Sequence, residues 1–123
     1  MSGNKLFLDT NILLYLLQGD VTLTEVLDGK QFYVSFITEL ELLSYSGLKS
    51  SDLKVVHELL GECVVIDINA EIKQLAVKFR KQYKVKLPDT IIAATSLYLN
   101  IPLITADSDF KKLKELELVF YER

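Results

Sequence analysis

Short apolar runs alternate with helical patterns along the chain, and this alternation constrains the fold more than any other feature of the sequence. Five such runs, rich in β-branched and aromatic residues, predict strands at residues 5–9, 32–35, 63–67, 101–105 and 118–121. Strands that alternate with helices are typical of an α/β domain with a central, mainly parallel sheet. We therefore expect a three-layer α/β/α fold. The run CVVID at residues 63–67 predicts a strand that is buried on both faces.

Capping and stop signals between these strands predict the helices. Thr10, Ser51 and Asn69 are the predicted caps of three of them, and Pro88 suits the first turn of a fourth. The predicted helices cover residues 11–18, 20–27, 37–45, 52–60, 70–83, 88–99 and 110–116.

The composition is that of a chain with a sizeable core. Half of the 123 residues are hydrophobic, and a domain of this length removes roughly two-thirds of its unfolded surface from water. No stretch reaches the ~18 unbroken apolar residues of a membrane span, and the N-terminus lacks the pattern of a secretory signal. The single cysteine, Cys63, excludes an internal disulfide. We therefore expect residues 1–123 to form one domain that resides in the cytoplasm and does not enter a membrane.

Two acids follow predicted strands, at the edge where α/β sheets bind their ligands. Asp9 comes after the first strand and Asp107 just beyond the fourth, and ligands bind beyond the carboxyl ends of parallel strands. Either acid has a simpler interpretation, because a carboxylate at such a place also caps the helix that follows. Asp109, two residues further on, shares that ambiguity.

Two more acids lie in predicted helices. Glu41 is surrounded by leucines, and because Glu39 is two residues away, the two glutamates point to different sides of the helix. Asp89 lies in a first helical turn, where the macrodipole alone favours a negative charge. Neither residue indicates a site by itself.

The combination of acids is more informative than any member of it. Carboxylates that converge on one cleft repel each other, so a stable cluster normally requires a cation. Oxygen-only ligands suit Mg²⁺ or Mn²⁺, whereas the only soft ligands, His57 and Cys63, lack the spacing of a zinc site. A metal held in this way can activate water and neutralise charge on a scissile phosphate.

Four segments of the sequence resemble the acidic motifs of the PIN-domain family, in the family's order. They are FLDTNILLYLL, SFITELELL, LPDTIIAA and LITADSDF. Within the family the chain is most similar to the compact VapC-like toxins of toxin–antitoxin modules. The resemblance spans roughly residues 6–121.

This resemblance implies a set of site residues and an activity. The four motif acids, which would bind metal and carry the reaction, are Asp9, Glu41, Asp89 and Asp107. Glu41 matches because it stands three residues after Thr38, the threonine of an S-x-I-T segment. Supporting positions by the same comparison are Thr10, Asn11, Thr105 and Asp109. The implied activity is hydrolysis of RNA phosphodiester bonds by water activated on one or two Mg²⁺ or Mn²⁺ ions. The implied partners are RNA, a second copy of the chain and a cognate antitoxin protein.

A basic segment precedes the third acidic motif, although the net charge of −3 is not the footprint of a protein that binds nucleic acid by charge alone. Setting aside the four motif acids leaves 13 acids against 14 bases. The segment is either a solvated helix face or a track for the RNA backbone, which needs clustered Lys and Arg. The candidate RNA contacts are Lys78, Arg80, Lys81 and Lys84.

Three other classes of protein are alternatives to the nuclease. A phosphate-accepting receiver domain could use Asp67 and Thr105, but the paired acids after the first strand and the lysine after the last are missing. A haloacid-dehalogenase-like phosphatase could use Asp9, but position 11 is Asn where that family has a second Asp. The third alternative is a PIN fold that only binds, which the complete set of four acids disfavours.

Overall fold

The fold is described from a computed structural model, over residues 3–123. Its centre is a five-stranded sheet in the order β3-β2-β1-β4-β5, in which every neighbouring pair is parallel. The strands are β1 (Lys5–Leu8), β2 (Gln31–Ser35), β3 (Cys63–Ile66), β4 (Leu103–Thr105) and β5 (Leu118–Phe120).

Helices connect all the strands except β4 and β5, which a 3₁₀ turn at Ser108–Lys112 joins. The helices are α1 (Thr10–Leu17), α2 (Val21–Leu27), α3 (Phe36–Leu43), α4 (Ser50–Gly61), α5 (Ala70–Gln82) and α6 (Leu87–Leu99). None of the helices in residues 3–123 has the length and apolar character needed to cross a membrane.

Alternate side chains of the strands enter two separate cores, one on each face of the sheet. Phe7 packs with α5 and α6 on one face, while its neighbours Leu6 and Leu8 pack with α1 to α4 on the other. This period of two is the pleat of a strand. The result confirms the predicted three-layer α/β/α fold with a parallel sheet.

The order of the strands reverses between β1 and β4, and this reversal positions the acidic residues. From β1 the chain moves outward to β2 and β3, then returns to β4 on the opposite side of β1. The amide of Asp9 donates to the carbonyl of Ile104 at 3.1 Å, which ties the end of β1 to β4. Ligands bind at such a switch point in open α/β sheets.

Two predicted helix caps are wrong. Helix α1 includes Thr10, and its cap is Asp9, whose carboxylate accepts from the amide of Thr10. Helix α4 begins at Ser50, and the carboxylate of Asp52 accepts from the amide of Lys49 at 3.0 Å, so that Ser51 is not the cap. In both places two polar residues compete for one role, and local sequence does not decide between them.

Two predicted elements differ in environment or type. Strand β3 is an edge strand in which Val64 is 49% exposed, so CVVID is not buried on both faces. The predicted helix over residues 110–116 is instead the 3₁₀ turn at Ser108–Lys112, capped by Asp107. Such short turns are common connectors, and the three-residue strand β5 follows soon after.

Candidate active site

One cleft at the carboxyl ends of the central strands collects the four motif acids. It has a volume of about 230 Å³ and lies beyond β1 and β4, among helices α1, α3 and α6. Its lining residues are Asp9, Thr10, Asn11, Leu14, Glu41, Leu42, Tyr45, Asp89 and Asp107. Residues separated by up to 98 positions in the chain therefore share one small space.

Asp9 is the buried acid at the base of the cleft, with 4% of its surface exposed. One carboxylate oxygen accepts from the amide of Thr10 at 2.8 Å and the other accepts from the hydroxyl of Thr105 at 2.7 Å. Burial raises the pKa of Asp9 to about 6 despite these two bonds, and the charges of Asp107 and Glu41 add to the rise. The chain thus fixes the orientation of this carboxylate but does not neutralise it.

A pair of threonine hydroxyls orients Glu41. The hydroxyl of Thr10 donates to Oε1 of Glu41 at 2.6 Å and lies 3.0 Å from the hydroxyl of Thr38. Because Thr10 uses its proton on the carboxylate, Thr38 supplies the proton of the bond between the two threonines. Thr38 is fully buried in α3, one turn before Glu41. Glu41 itself is exposed, so these bonds rather than packing restrain it.

Asp89 lies in the first turn of α6, where Pro88 stands at the start of the helix. Burial raises its pKa to about 6, and the negative charges of Asp9, Asp107 and Glu41 contribute further, while Lys86 opposes the rise. The macrodipole explains an acid in a first helical turn. It does not explain why three other carboxylates lie close enough to add to the rise in pKa that burial causes.

The two acids of the fourth motif, Asp107 and Asp109, have different positions and partners. The amide of Asp107 donates to the hydroxyl of Thr105 at 3.0 Å, so that Thr105 links Asp107 to Asp9. Asp107 also accepts from the amide of Asp109 at 2.9 Å, which caps the 3₁₀ turn. Asp109 does not line the cleft and pairs with Lys112 at 3.5 Å. Of the two, Asp107 is the one that faces the other acids.

The donor set suits a hard divalent cation. The four acids supply only oxygen, the ligand that Mg²⁺ and Mn²⁺ prefer, and burial together with the charges of neighbouring acids raises the pKa values of Asp9 and Asp89. Over residues 3–123, however, no three acidic, His or Cys side chains lie close enough together to enclose an ion. The acids surround a shared space and do not form a closed ligand shell.

Several other predicted residues lie outside the cleft. Lys78, Arg80, Lys81 and Lys84 are exposed on α5 and the segment after it, and Arg80 also donates to the carbonyl of Val85 at 2.9 Å. Asp67, which a receiver domain would use, is exposed beyond the edge strand β3 and does not line the cleft.

Four residues have roles in the site that the sequence analysis did not assign to them. Leu14, Leu42 and Tyr45 line the cleft, and Thr38, named above only as the threonine of the S-x-I-T segment, forms a hydrogen bond with Thr10. The one available signal was helical spacing, since Thr38 and Tyr45 lie three and four residues from Glu41 on the same helical face. No local sequence pattern predicts the contact between α1 and α3, in which Thr10 bonds to Thr38 and Glu41.

The fold and the cleft together define a parallel α/β domain with an acidic site at its topological switch point. The chain belongs to the PIN domain family, whose model matches residues 6–116. Among curated proteins it is similar to Ribonuclease VapC2 of Methanocaldococcus jannaschii, with 30% identity over 97% of this chain and 95% of that protein.

Solved structures give the same assignment of fold. A toxin–antitoxin complex from Klebsiella pneumoniae contains a chain with 31% identity and a TM-score of 0.83, covering 95% of this chain and 98% of that one. VapBC2 from Rickettsia felis, bound to a DNA fragment from its promoter, contains a chain with a TM-score of 0.84 at 22% identity, covering 96% and 99%. The second likeness bears on the fold alone.

Proposed function

We propose that this protein is a metal-dependent endoribonuclease that acts as the toxin of a toxin–antitoxin pair. The observation that carries the proposal is the convergence of Asp9, Glu41, Asp89 and Asp107 on one cleft, where the pKa values of Asp9 and Asp89 are raised to about 6. Its similarity to Ribonuclease VapC2 supports RNA as the substrate.

The four acids would hold Mg²⁺ or Mn²⁺, which when bound supplies a Lewis acid and an activated water. The chain's own contribution is orientation. Thr10 and Thr105 fix the Asp9 carboxylate, and Thr10 also fixes Glu41, so that neither acid has to reorganise. Among residues 3–123, the lining of the cleft includes no histidine, cysteine or serine that offers another nucleophile or base.

The proposed partners follow from the relatives. The Klebsiella pneumoniae neighbour is a chain of a toxin–antitoxin complex, which supports a cognate antitoxin that binds this protein. We further propose a homodimer, as the family resemblance implies, and an action on RNA in the cytoplasm.

The exposed basic residues Lys78, Arg80, Lys81 and Lys84 are the proposed contacts for the RNA backbone. Neutralising all four should weaken RNA binding and flatten its dependence on salt, by up to about 0.7 in the log–log slope for each lost phosphate contact on a single strand. Filter binding between low and moderate salt measures this slope. An unchanged slope would make the segment a solvated helix face.

The direct test removes charge from the cleft while keeping shape. Glu41→Gln and Asp89→Asn should each lower cleavage of single-stranded RNA by roughly two orders of magnitude or more, as losing an electrostatic catalytic group does. EDTA should silence the wild type, and Mn²⁺ or Mg²⁺ should restore it. Glu39→Gln is the matched control, because Glu39 is on the same helix but does not line the cleft. Metal-independent cleavage that survives both substitutions would refute the site, and RNA binding without any cleavage would make the protein a binding module.

A further inference from the structure

Tyr45 is a half-exposed aromatic residue one helical turn beyond Glu41. It follows the end of α3, with 50% of its surface exposed. Its amide donates to the carbonyl of Leu42 at 3.3 Å and its carbonyl accepts from the amide of Leu48 at 3.2 Å. The backbone of Tyr45 is therefore held on both sides, although the ring is open to solvent.

The segment after Tyr45 leaves room for the ring. A Cβ atom added to Gly47 would lie 2.9 Å from Cε2 of Tyr45, closer than real Cβ contacts allow. A glycine at this position lets the ring lie against the backbone, and any larger residue would push it away. The placement of the ring thus depends on the sequence around it.

Tyr45 takes part in two cavities of the protein. One is the acidic cleft, and the other is a groove of about 240 Å³ between α1 and α4. Leu14 and Tyr45 line both. The other residues of the groove are Leu17, Gln18, Leu48, Asp52, Val55 and Val56. The groove is thus mixed in character: most of its side chains are aliphatic or aromatic, and polar atoms make up nearly half of its exposed lining.

We propose that Tyr45 is a stacking platform for one unpaired base of the RNA, next to the phosphate that occupies the acidic cleft, and that the groove receives this base. The inference rests on the proposed function, since it assigns a substrate contact to the same site. Single-stranded nucleic acids are bound by aromatic side chains on which bases stack, because every base has an apolar face. The groove is smaller than the ~300–1,000 Å³ of pockets for drug-sized ligands and suits a single planar ring.

The carboxylate of Asp52 favours a base over a phosphate beside α4, whereas Arg123 donates to Oε1 of Gln18 at 2.7 Å, at the end of α1. Asp52 accepts from the amide of Lys49 and, as a carboxylate, can only accept hydrogen bonds. It therefore attracts the N–H groups on the edge of a base and repels a phosphate. An RNA strand that crosses Tyr45 would place its phosphate at the metal-binding acids and its base beyond the ring.

The experiment measures cleavage kinetics with a short single-stranded RNA, intact or with an abasic residue beside the cleaved bond. Tyr45→Ala should raise KM for intact RNA about 5- to 150-fold, the range for losing one base–aromatic stack, with a smaller change in kcat. Tyr45→Phe should behave as the wild type, and Gly47→Ala should raise KM by less than Tyr45→Ala. The control is Tyr98→Ala, on α6, which is 43% exposed and lines neither cavity.

The abasic RNA separates stacking from a general loss of structure. Removing the base should cost the wild type the same factor in KM, and it should cost Tyr45→Ala nothing further. An unchanged KM in Tyr45→Ala, or equal losses on intact and abasic RNA, would overturn the inference. So would a Tyr45→Ala variant that loses only antitoxin binding, since the groove would then be a protein-binding surface. Loss of cleavage in Asp89→Asn tests the proposed function separately, and if the wild type cleaves no RNA both proposals fail.

Discussion

Asp9 and Asp20 perform the same local task in two regions of the molecule, and their surroundings differ. Asp9 caps α1 through the amide of Thr10, and Asp20 caps α2 through the amide of Leu23. Each residue comes directly before a helix and accepts from its first turn, as N-cap aspartates do. Judged by local structure alone, the two are equivalent.

The difference lies in which charges reach them. The amide of Leu23 holds the pKa of Asp20 below its usual value, and the Tyr121 hydroxyl and the Arg123 guanidinium, 3.6 Å away, lower it further. Burial raises the pKa of Asp9 to about 6, and its charged neighbours are other acids. Arg123 supplies a counter-charge for Asp20, whereas the charged groups that act on Asp9 are the acids Asp107 and Glu41. An acidic cap surrounded by like charges, here called unbalanced, is a candidate for a binding site, whereas a cap that is paired with a cation contributes to the fold.

The largest expected difference between the two aspartates is the effect of removing each charge on RNA cleavage and on stability. Asp9→Asn should lower RNA cleavage by about two orders of magnitude or more, because it removes a metal-binding acid. Its stability in EDTA should hold or rise, since like-charge repulsion is relieved. Asp20→Asn should leave cleavage per folded molecule unchanged and lower the melting temperature, because Tyr121 and Arg123 lose their ionised partner.

Cleavage rates and thermal melts of the two variants, with EDTA and with Mn²⁺, give the comparison. Mn²⁺ should raise the melting temperature of Asp20→Asn as much as that of the wild type, and that of Asp9→Asn much less. Equal shifts in all three proteins would remove Asp9 from the metal site.

The two aspartates should also respond to pH in opposite directions. In the metal-free protein the folded state holds the Asp9 proton up to a pKa of about 6, above the unfolded value of 3.8. The folded state therefore binds more protons than the unfolded state, and stability falls as pH rises from about 4 to 6, by on the order of 2–3 kcal/mol for Asp9. Asp89, also raised to about 6, adds to this fall. The lowered pKa of Asp20 gives the reverse, a contribution that is lost as pH falls below the unfolded value.

Denaturant unfolding between pH 3 and 8, in EDTA and in Mn²⁺, measures the effect. Mn²⁺ competes with the protons at Asp9 and Asp89, so it should reduce or reverse the loss of stability above pH 4. Asp9→Asn should flatten the metal-free profile. A metal-free protein that becomes more stable between pH 4 and 6 would contradict the raised pKa values.

Local sequence predicted most of the fold because each element carries its own signal. The apolar runs became strands, Asn69 caps α5 through the amide of Ile72 as predicted, and Pro88 stands at the start of α6. Asp9 and Thr10 are both good caps, so neighbouring positions could not be told apart from sequence. The exposure of Val64 depends on the order of strands in the sheet, which no single strand encodes.

The acids of the cleft could be named from spacing and family resemblance, but their supporting contacts could not. Thr10 and Thr38 are 28 residues apart and meet only because α1 and α3 pack on the same face of the sheet. The sequence likewise does not distinguish the roles of Asp107 and Asp109. The structure does, because Asp107 contacts Thr105 and Asp109 pairs with Lys112. Such contacts are tertiary. A sequence motif identifies the residues but does not show which of them contact each other.

Substitution of Thr38 has the smallest expected effect, and it tests specifically whether the two threonine hydroxyls orient Glu41. Thr38→Val keeps the shape of the buried side chain but removes the hydroxyl that donates to Thr10, so Thr10 and Glu41 lose one restraint. A single hydrogen bond contributes about 1 kcal/mol, which predicts a fall in kcat of roughly fivefold. Thr38→Ser keeps the hydroxyl and should restore most of the rate.

The matched control is Thr95→Val, which removes a buried hydroxyl that bonds only to the carbonyl of Ile91 within α6, away from the cleft. Both valine variants should lower the melting temperature slightly, because each removes the hydrogen bond that a buried threonine hydroxyl donates. Only Thr38→Val should lower kcat at saturating metal, and the loss should persist at temperatures far below its melting transition. Equal kcat values for the two variants would mean that Thr38 stabilises the fold without orienting Glu41, and the hydroxyl pair would then belong with Asp20 among the purely structural contacts.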